Sequence, residues 1–416
     1  MTLKTHCKPR QSVFDRNRRD IVLDLSDFLE GKIEGEKFFE ENFITSGMKT
    51  LFEKTFARLE NRGDQASTFL LTQSMGGGKT HNMIALGLLA KNPALREKVL
   101  GKGGYGSKVG GVRVIGFHGR QTDAQFGIWG ELADQLGKKD VFKDYYQPLQ
   151  APGQSAWINL LKGEPTLIFL DELPPYLEAV QAKSIGSTTL STVTATAIAN
   201  LLVAVNKAEL SNVCVVIADL TASWQTGGAM LNTALDNLKN ETSRSALRIE
   251  PVSSQGEELY HILRTRLFQT LPDQSVRTEV ANAYALAVKA AREMDVTNHS
   301  PDSFAAQLSE SYPFHFGLRD LYARFKENPG FQQTRGLIRL MRMVVSNLWE
   351  TGQADKLQLI HPYNLDLNSD EIVSEIRSIN PSLSEAISHD IANNGHSVAE
   401  DIDTKYNCTD AQDVSK

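Results

Sequence analysis

The feature that most constrains this chain is a glycine run set between an apolar strand and an apolar helix. Ser67 to Thr72 (STFLLT) is a short apolar run bounded by polar residues, the pattern of a buried strand. Ser74, Met75, Gly76, Gly77, Gly78, Lys79, Thr80 and His81 follow, and the sequence continues NMIALGLLAKN with apolar residues at helical spacing. Strand, glycine loop and helix are the context a phosphate-binding loop needs. Glycines let backbone N–H groups approach phosphate oxygens, and the next helix turns its positive end to the anion. Residues 74–81 are therefore the candidate cradle. Lys79 would reach the β and γ phosphates as a point charge, and the Thr80 hydroxyl would ligate Mg2+. The pattern G-x-x-x-x-G-K-[ST] asks for glycine at position 73, where this chain has Gln73, so the first turn is altered.

Four more apolar runs predict strands: Val112–Phe117, Thr166–Leu170, Asn212–Ala218 and Leu247–Val252. Helical patterns lie between them, including 125–137 and 192–209. This alternation predicts an α/β fold, a parallel sheet with helices on both faces. From Ser254 strand signals stop, and 255–350 read as helices broken at Pro272, Pro301, Pro313 and Pro329. The chain has 416 residues, enough for two or three domains. The expected division is a helical segment 1–62, a phosphate-loop α/β domain 63–253, an all-helical lid domain 254–360 and an acidic segment 361–416. From Asp366 to Lys416 there are eleven acidic and three basic residues, which predicts a solvated or partly disordered end, or a partner-binding tail. The run Gly101–Gly111 is expected to be a mobile loop.

Asp171 and Glu172 end the third strand. Behind a phosphate loop, the first carboxylate of such a pair holds Mg2+ and the second orients or deprotonates the attacking water. Pro174 and Pro175 predict that the chain turns away from a simple helix start. Asp219, Thr221 and Ser223 follow the fourth strand and would emerge at the same sheet edge, with Thr221 the candidate to position water; a turn or capping role is the alternative. Arg244, with Arg248 as its rival, precedes or opens the fifth strand and could reach a neighbouring subunit's phosphate; a plain surface arginine is the alternative. Arg335 and Arg339 lie on a basic-and-apolar helical pattern where a lid helix would touch the nucleotide; a solvated basic face is the alternative. Residues 319–342 hold six basic and two acidic residues, so DNA is a candidate partner, as it is for the basic N-terminus.

Other features exclude chemistry. Cys7, Cys214 and Cys408 are far apart and form no CxxC pair, which argues against structural zinc and a disulfide framework and for a reducing cytoplasm. No apolar run is long enough to span a bilayer, and the first twenty residues lack the apolar stretch of a signal peptide. His118 and His315 lack partners at ligand spacing and read as turn or core histidines. Trp129, Trp157, Trp224 and Trp349 read as core.

The order phosphate loop, acidic pair, polar strand end, arginine, short strand and helical lid resembles the AAA+ ATPases. SRSALRIEPVSSQGEELYHILRTRLF is similar to their passage from arginine finger through the fifth strand into the lid. A closer resemblance is to the large P-loop ATPases of bacterial anti-phage defence islands, those of phage-growth-limitation and phage-exclusion systems included. FFEENFITSGMKTLFE (38–53), GGGKTHNMIALGLLA (76–90) and SYPFHFGLRDLYARFKENPGFQQTRGLIRLM (311–341) carry it. The resemblance implies ATP binding by residues 76–80, magnesium handling by Thr80 and Asp171, and Glu172 as the catalytic carboxylate. It implies partners of the defence kind: further copies of the chain, or methyltransferase, nuclease or helicase subunits. Those relatives run longer, so a fragment or shortened form is expected.

Overall fold

The computed structural model describes residues 2–15, 23–61, 65–72, 77–218, 246–252, 258–326 and 328–416. Its centre is one sheet of five strands: β1 (Thr68–Leu71), β2 (Arg113–His118), β3 (Thr166–Asp171), β4 (Val213–Ala218) and β5 (Ala246–Ile249). Their spatial order is β2-β3-β4-β1-β5, and every pairing is parallel. All five apolar runs thus form strands. β3 and β4 are buried along their whole length, which is why they read as unbroken apolar runs rather than alternating ones.

The strand order dictates where the helices lie. The connection from β1 to β2 crosses β4 and β3, and every later connection runs the other way across the sheet. Right-handed crossovers therefore send the helix after β1 to one face and the later helices to the other. On the first face lie α1 (Leu25–Leu29), α2 (Gly35–Glu41), α3 (Ser46–Leu59), α4 (Lys79–Lys91) and α5 (Pro93–Leu100). They pack with Phe69, Leu71, Leu167, Phe169, Cys214 and Val216. On the second face α6 (Gly127–Gln135), α7 (Gln154–Leu161), α8 (Leu173–Ala179) and α9 (Leu190–Val205) pack with Leu70, Ile115, Phe117, Ile168, Leu170, Val215 and Ile217. The reversal of direction falls at β1, so the crevice of this sheet opens at the carboxyl end of β1, facing the start of α4.

The second core is helical. It contains α10 (Leu259–Leu267), α11 (Gln274–Glu293), α12 (Pro301–Ser311), α13 (Leu318–Phe325), α14 (Gln333–Glu350) and α15 (Asp370–Ile379). In α14, Leu337, Leu340, Met341, Val344, Val345 and Leu348 are buried at three- and four-residue spacing.

Three sequence expectations change here. Residues 1–62 divide between the two cores. Leu3, Cys7 and Val13 are buried in the helical core, where Lys8–Pro9 pairs antiparallel with Phe268–Thr270, whereas residues from Leu25 onward cover the sheet. The acidic end is folded. Ile372, Ile376 and Ile379 close the helical core, and Glu400, in α16 (Val398–Tyr406), gathers Asn368, Asn393, Gly395 and Ser397 around its carboxylate. The glycine-rich 101–111 run is pinned by Arg96. Its guanidinium donates to the carbonyls of Val109 and Gly110 and lies 4.9 Å from the centre of the Phe56 ring.

Among the described residues no helix is long and apolar enough to cross a membrane.

Candidate functional site

The site is built where β1 gives way to α4. Gly78 caps α4 at φ +87°, ψ 19°, in the left-handed region that favours glycine, and Lys79 opens the helix. Thr80, in the first turn, donates its hydroxyl to Oδ2 of Asp171 at 2.6 Å. Asp171 is the last residue of β3. Strand alternation puts its side chain on the face of Leu167 and Phe169, the face that α4 covers. Only 2% of Asp171 is exposed. That burial pushes its carboxyl pKa up, while the Thr80 hydrogen bond and the charge of His118 pull the other way. Oδ1 accepts from the Glu172 N–H at 3.0 Å.

Glu172 takes φ +48°, ψ 39°, a left-handed conformation that costs a non-glycine residue about 1 kcal/mol or more. Its carboxylate Oε2 accepts from Arg120 Nε at 2.8 Å. Gly119 fits directly beneath: a Cβ there would lie 1.7 Å from the Glu172 carbonyl oxygen. Pro174 and Pro175 do not divert the chain. They occupy the first turn of α8, where an N–H has no intrahelical acceptor and a fixed φ suits the helix.

His118 ends β2 in register with Asp171. It is 8% exposed, with Nε2 3.5 Å from Oδ2 of Asp24. Asp24 in turn caps α1 by accepting from the Ser26 N–H. No sequence pattern marks Asp24 or Arg120, and His118 reads in sequence as a turn or core residue. Only the parallel pairing of β2 with β3 brings His118 beside the acidic pair, and no local pattern announces it.

The His81 ring stacks on Phe38 of α2, with centroids 4.6 Å apart and planes at 30°. Burial, then the charges of Arg266 and Arg335, push its imidazole pKa down to about 3, so it is neutral at pH 7. The two arginines of α14 separate here. Arg335 lies close enough to act on His81, and among the described residues it has no hydrogen-bond or ion-pair partner. Arg339, one turn further along α14, pairs with Glu375 of α15 at 2.5 Å. Arg248 lies within β5, exposed, in register with Leu70.

Gly77 is buried beside Gly78. Gln73, Ser74, Met75 and Gly76 lie outside the described residues, as do Asp219, Thr221, Ser223, Trp224 and Arg244. Among the described residues no group of three or more His, Cys, Asp or Glu side chains is placed to hold a metal ion. Thr80 and Asp171 supply two hard oxygen donors, which suits a cation such as magnesium that keeps waters and takes other ligands from a bound phosphate.

A family model described as the DUF499 N-terminal domain matches residues 1–103 and 121–247. A second, described as the DUF499 second domain, matches residues 254–400. The first match ends within β5 and the second begins five residues after that strand, where the sheet gives way to helices. No curated protein matches the chain.

Proposed function

The chain belongs to the DUF499 family, and from that premise we propose that it is an AAA+-like P-loop ATPase, hydrolysing ATP to ADP and phosphate with Mg2+. One observation carries the reading. At the switch point of a five-stranded parallel sheet, a helix-opening hydroxyl, Thr80, meets a buried strand-end carboxylate, Asp171, at 2.6 Å. Residues 74–81 would cradle the phosphates, with Lys79 countering their charge. Thr80 and Asp171 would hold magnesium, which when bound neutralises phosphate charge. Glu172 would take the proton of the attacking water as the bond from the γ-phosphorus to the bridging oxygen breaks. Arg335, half-buried and with its charge felt at His81 in the first turn of α4, is better placed to meet an anion there than Arg339, which Glu375 takes up. Thr221 and Arg244 keep their proposed roles in positioning water and reaching a neighbouring subunit.

The resemblance to defence-island ATPases supports a setting in a cytoplasmic anti-phage complex, self-associated or beside methyltransferase, nuclease or helicase subunits. Of the basic run 319–342, Arg319 and Arg324 are exposed while Arg339 is taken up by Glu375, so movement along DNA is the weaker version of this reading.

A second reading, a nucleotide-dependent scaffold with little turnover, has its own observation: Arg120 holds the carboxylate that would have to accept a proton. Steady-state ATP hydrolysis with Mg2+ tests both. Glu172→Gln is expected to lower turnover by roughly 10²–10⁴-fold while ATP stays bound. Arg120→Ala is expected to raise turnover several-fold. Hydrolysis by Lys79→Ala and Glu172→Gln at the wild-type rate would sink the ATPase. The same negligible rate in wild type and Arg120→Ala, with ATP bound, would leave the scaffold.

A further inference from the structure

Residues 38–47, from the middle of α2 to the start of α3, touch both halves of the molecule. At one end Phe38, 5% exposed, stacks on His81, the residue after Thr80. From residue 40 onward the contacts are to the helical domain and the segment leading into it. Phe43 stacks on His261 of α10, with centroids 4.9 Å apart and planes at 17°. Arg10 donates to the Glu40 carbonyl at 2.6 Å and to the Thr265 carbonyl at 3.0 Å, bridging α2 and α10. Arg266 reaches Glu41 at 3.5 Å and Asn42 at 3.3 Å. Thr45 donates to the Pro251 carbonyl at 2.6 Å, and Gly47 lies so close that a Cβ would stand 2.0 Å from the Glu250 carbonyl oxygen. The segment is braced within itself as well: Asn42 Nδ2 donates to the Phe38 carbonyl at 2.6 Å.

We infer that residues 38–47 form a strut that carries the state of the phosphate loop to the helical domain, with the Phe38–His81 stack as its input and the Arg10 and Phe43 contacts on α10 as its output. The inference rests on the proposed binding of ATP at Lys79 and Thr80 and names how that event would be felt elsewhere. Thr80 gives up its hydrogen bond to Asp171 if its hydroxyl turns to a cation, and His81 is its covalent neighbour. A close-packed ring stack does not compress, so a shift of the first turn of α4 is passed to Phe38 rather than absorbed. Coupling of this kind requires the two ends to have different free energies in the two states. The strut supplies that difference because its contacts at one end cannot all be kept if the other end moves alone.

The test is hydrogen–deuterium exchange on the full chain with and without Mg2+ and the non-hydrolysable analogue adenylyl imidodiphosphate, on wild type, Phe38→Leu and Arg10→Gln. In wild type the analogue is expected to slow exchange at least three-fold at residues 79–84 and also at 259–270. In both variants the effect at 79–84 is expected to remain, with analogue affinity within three-fold of wild type, while the effect at 259–270 disappears. Protection at 259–270 persisting in either folded variant, or never appearing in wild type that binds the analogue, overturns the strut and leaves the ATP reading standing. Wild type that binds no analogue overturns the ATP reading and the strut with it. Arg10→Gln alters a partly exposed side chain at the output, so the inference stays falsifiable even if Phe38→Leu fails to fold.

Discussion

Asp171 at the sheet edge and Glu400 near the C-terminus are both carboxylates turned inward on neighbouring backbone, and their surroundings differ in kind. Glu400 is met by donors from Asn368, Asn393, Gly395 and Ser397. Burial raises its pKa, yet those hydrogen bonds more than reverse the effect and hold it at about 2. Asp171 has one hydroxyl and one N–H, it is almost wholly buried, and its pKa is raised. Glu400 is a finished structural node, whereas at Asp171 burial outweighs the Thr80 hydrogen bond and the His118 charge that favour its ionised form. A carboxylate kept in that condition costs stability, a cost that would suit the proposed role in holding a cation.

The sharpest way to break the comparison is to neutralise Asp171. Asp171→Asn is expected to leave the melting temperature unchanged or raise it, since an unfavourable buried charge is removed, while magnesium-dependent turnover falls by about 10²-fold or more. Thermal melts and steady-state kinetics on one preparation decide it; a fall in both quantities together would make Asp171 structural. The next contrast lies within α14. Arg335→Ala is expected to weaken ATP binding roughly ten-fold, about 1.4 kcal/mol, with little change in stability. Arg339→Ala is expected to leave ATP binding alone and cost about 1 kcal/mol of stability by stripping Glu375 of its partner. Calorimetric titration beside chemical denaturation separates the two, and interchanged results would reverse the assignment. The smallest effect is at Glu400. Its folded pKa lies below the ordinary value of 4.5, so it stabilises the fold fully above pH 4.5 and loses that contribution as pH falls toward 2. Glu400→Gln is expected to lower the melting temperature by about 2–4 °C at pH 7 and to flatten its acid-side dependence between pH 4.5 and 2. A variant with the wild-type pH profile would place the acid sensitivity elsewhere.

The candidate site was partly legible. The glycine run and the acidic pair stood out because each is a local pattern attached to an apolar strand, and the strands were unbroken because they are buried on both faces. Arg120, Asp24 and His118 carried no such signal. Arg120 matters through Glu172, and His118 through its register with Asp171, and both relations cross from one strand to another. The proline pair misled because two successive prolines normally stop a helix, yet at the first turn of α8 they obstruct nothing. The basic pattern of α14 left a solvated face open, but Arg339 is drawn into an ion pair with Glu375, 36 residues downstream, in a segment that composition alone marked as solvated.

By itself the sequence determined the alternation of strands and helices, the turn from sheet to helical domain near residue 254, and the chemistry available at residues 77–80 and 171–172. These follow from apolar periodicity and backbone freedom, which act over a few residues. Tertiary structure decided the rest: that residues 3–13 join the helical core, with Lys8 and Pro9 pairing with Phe268–Thr270, that the acidic end closes a core, and that Arg339 pairs with Glu375 while the charge of Arg335 is felt at His81. Each of these is a pairing between residues far apart in the chain. Its free energy comes from which surfaces the other elements have left uncovered, a quantity that no local window of sequence contains.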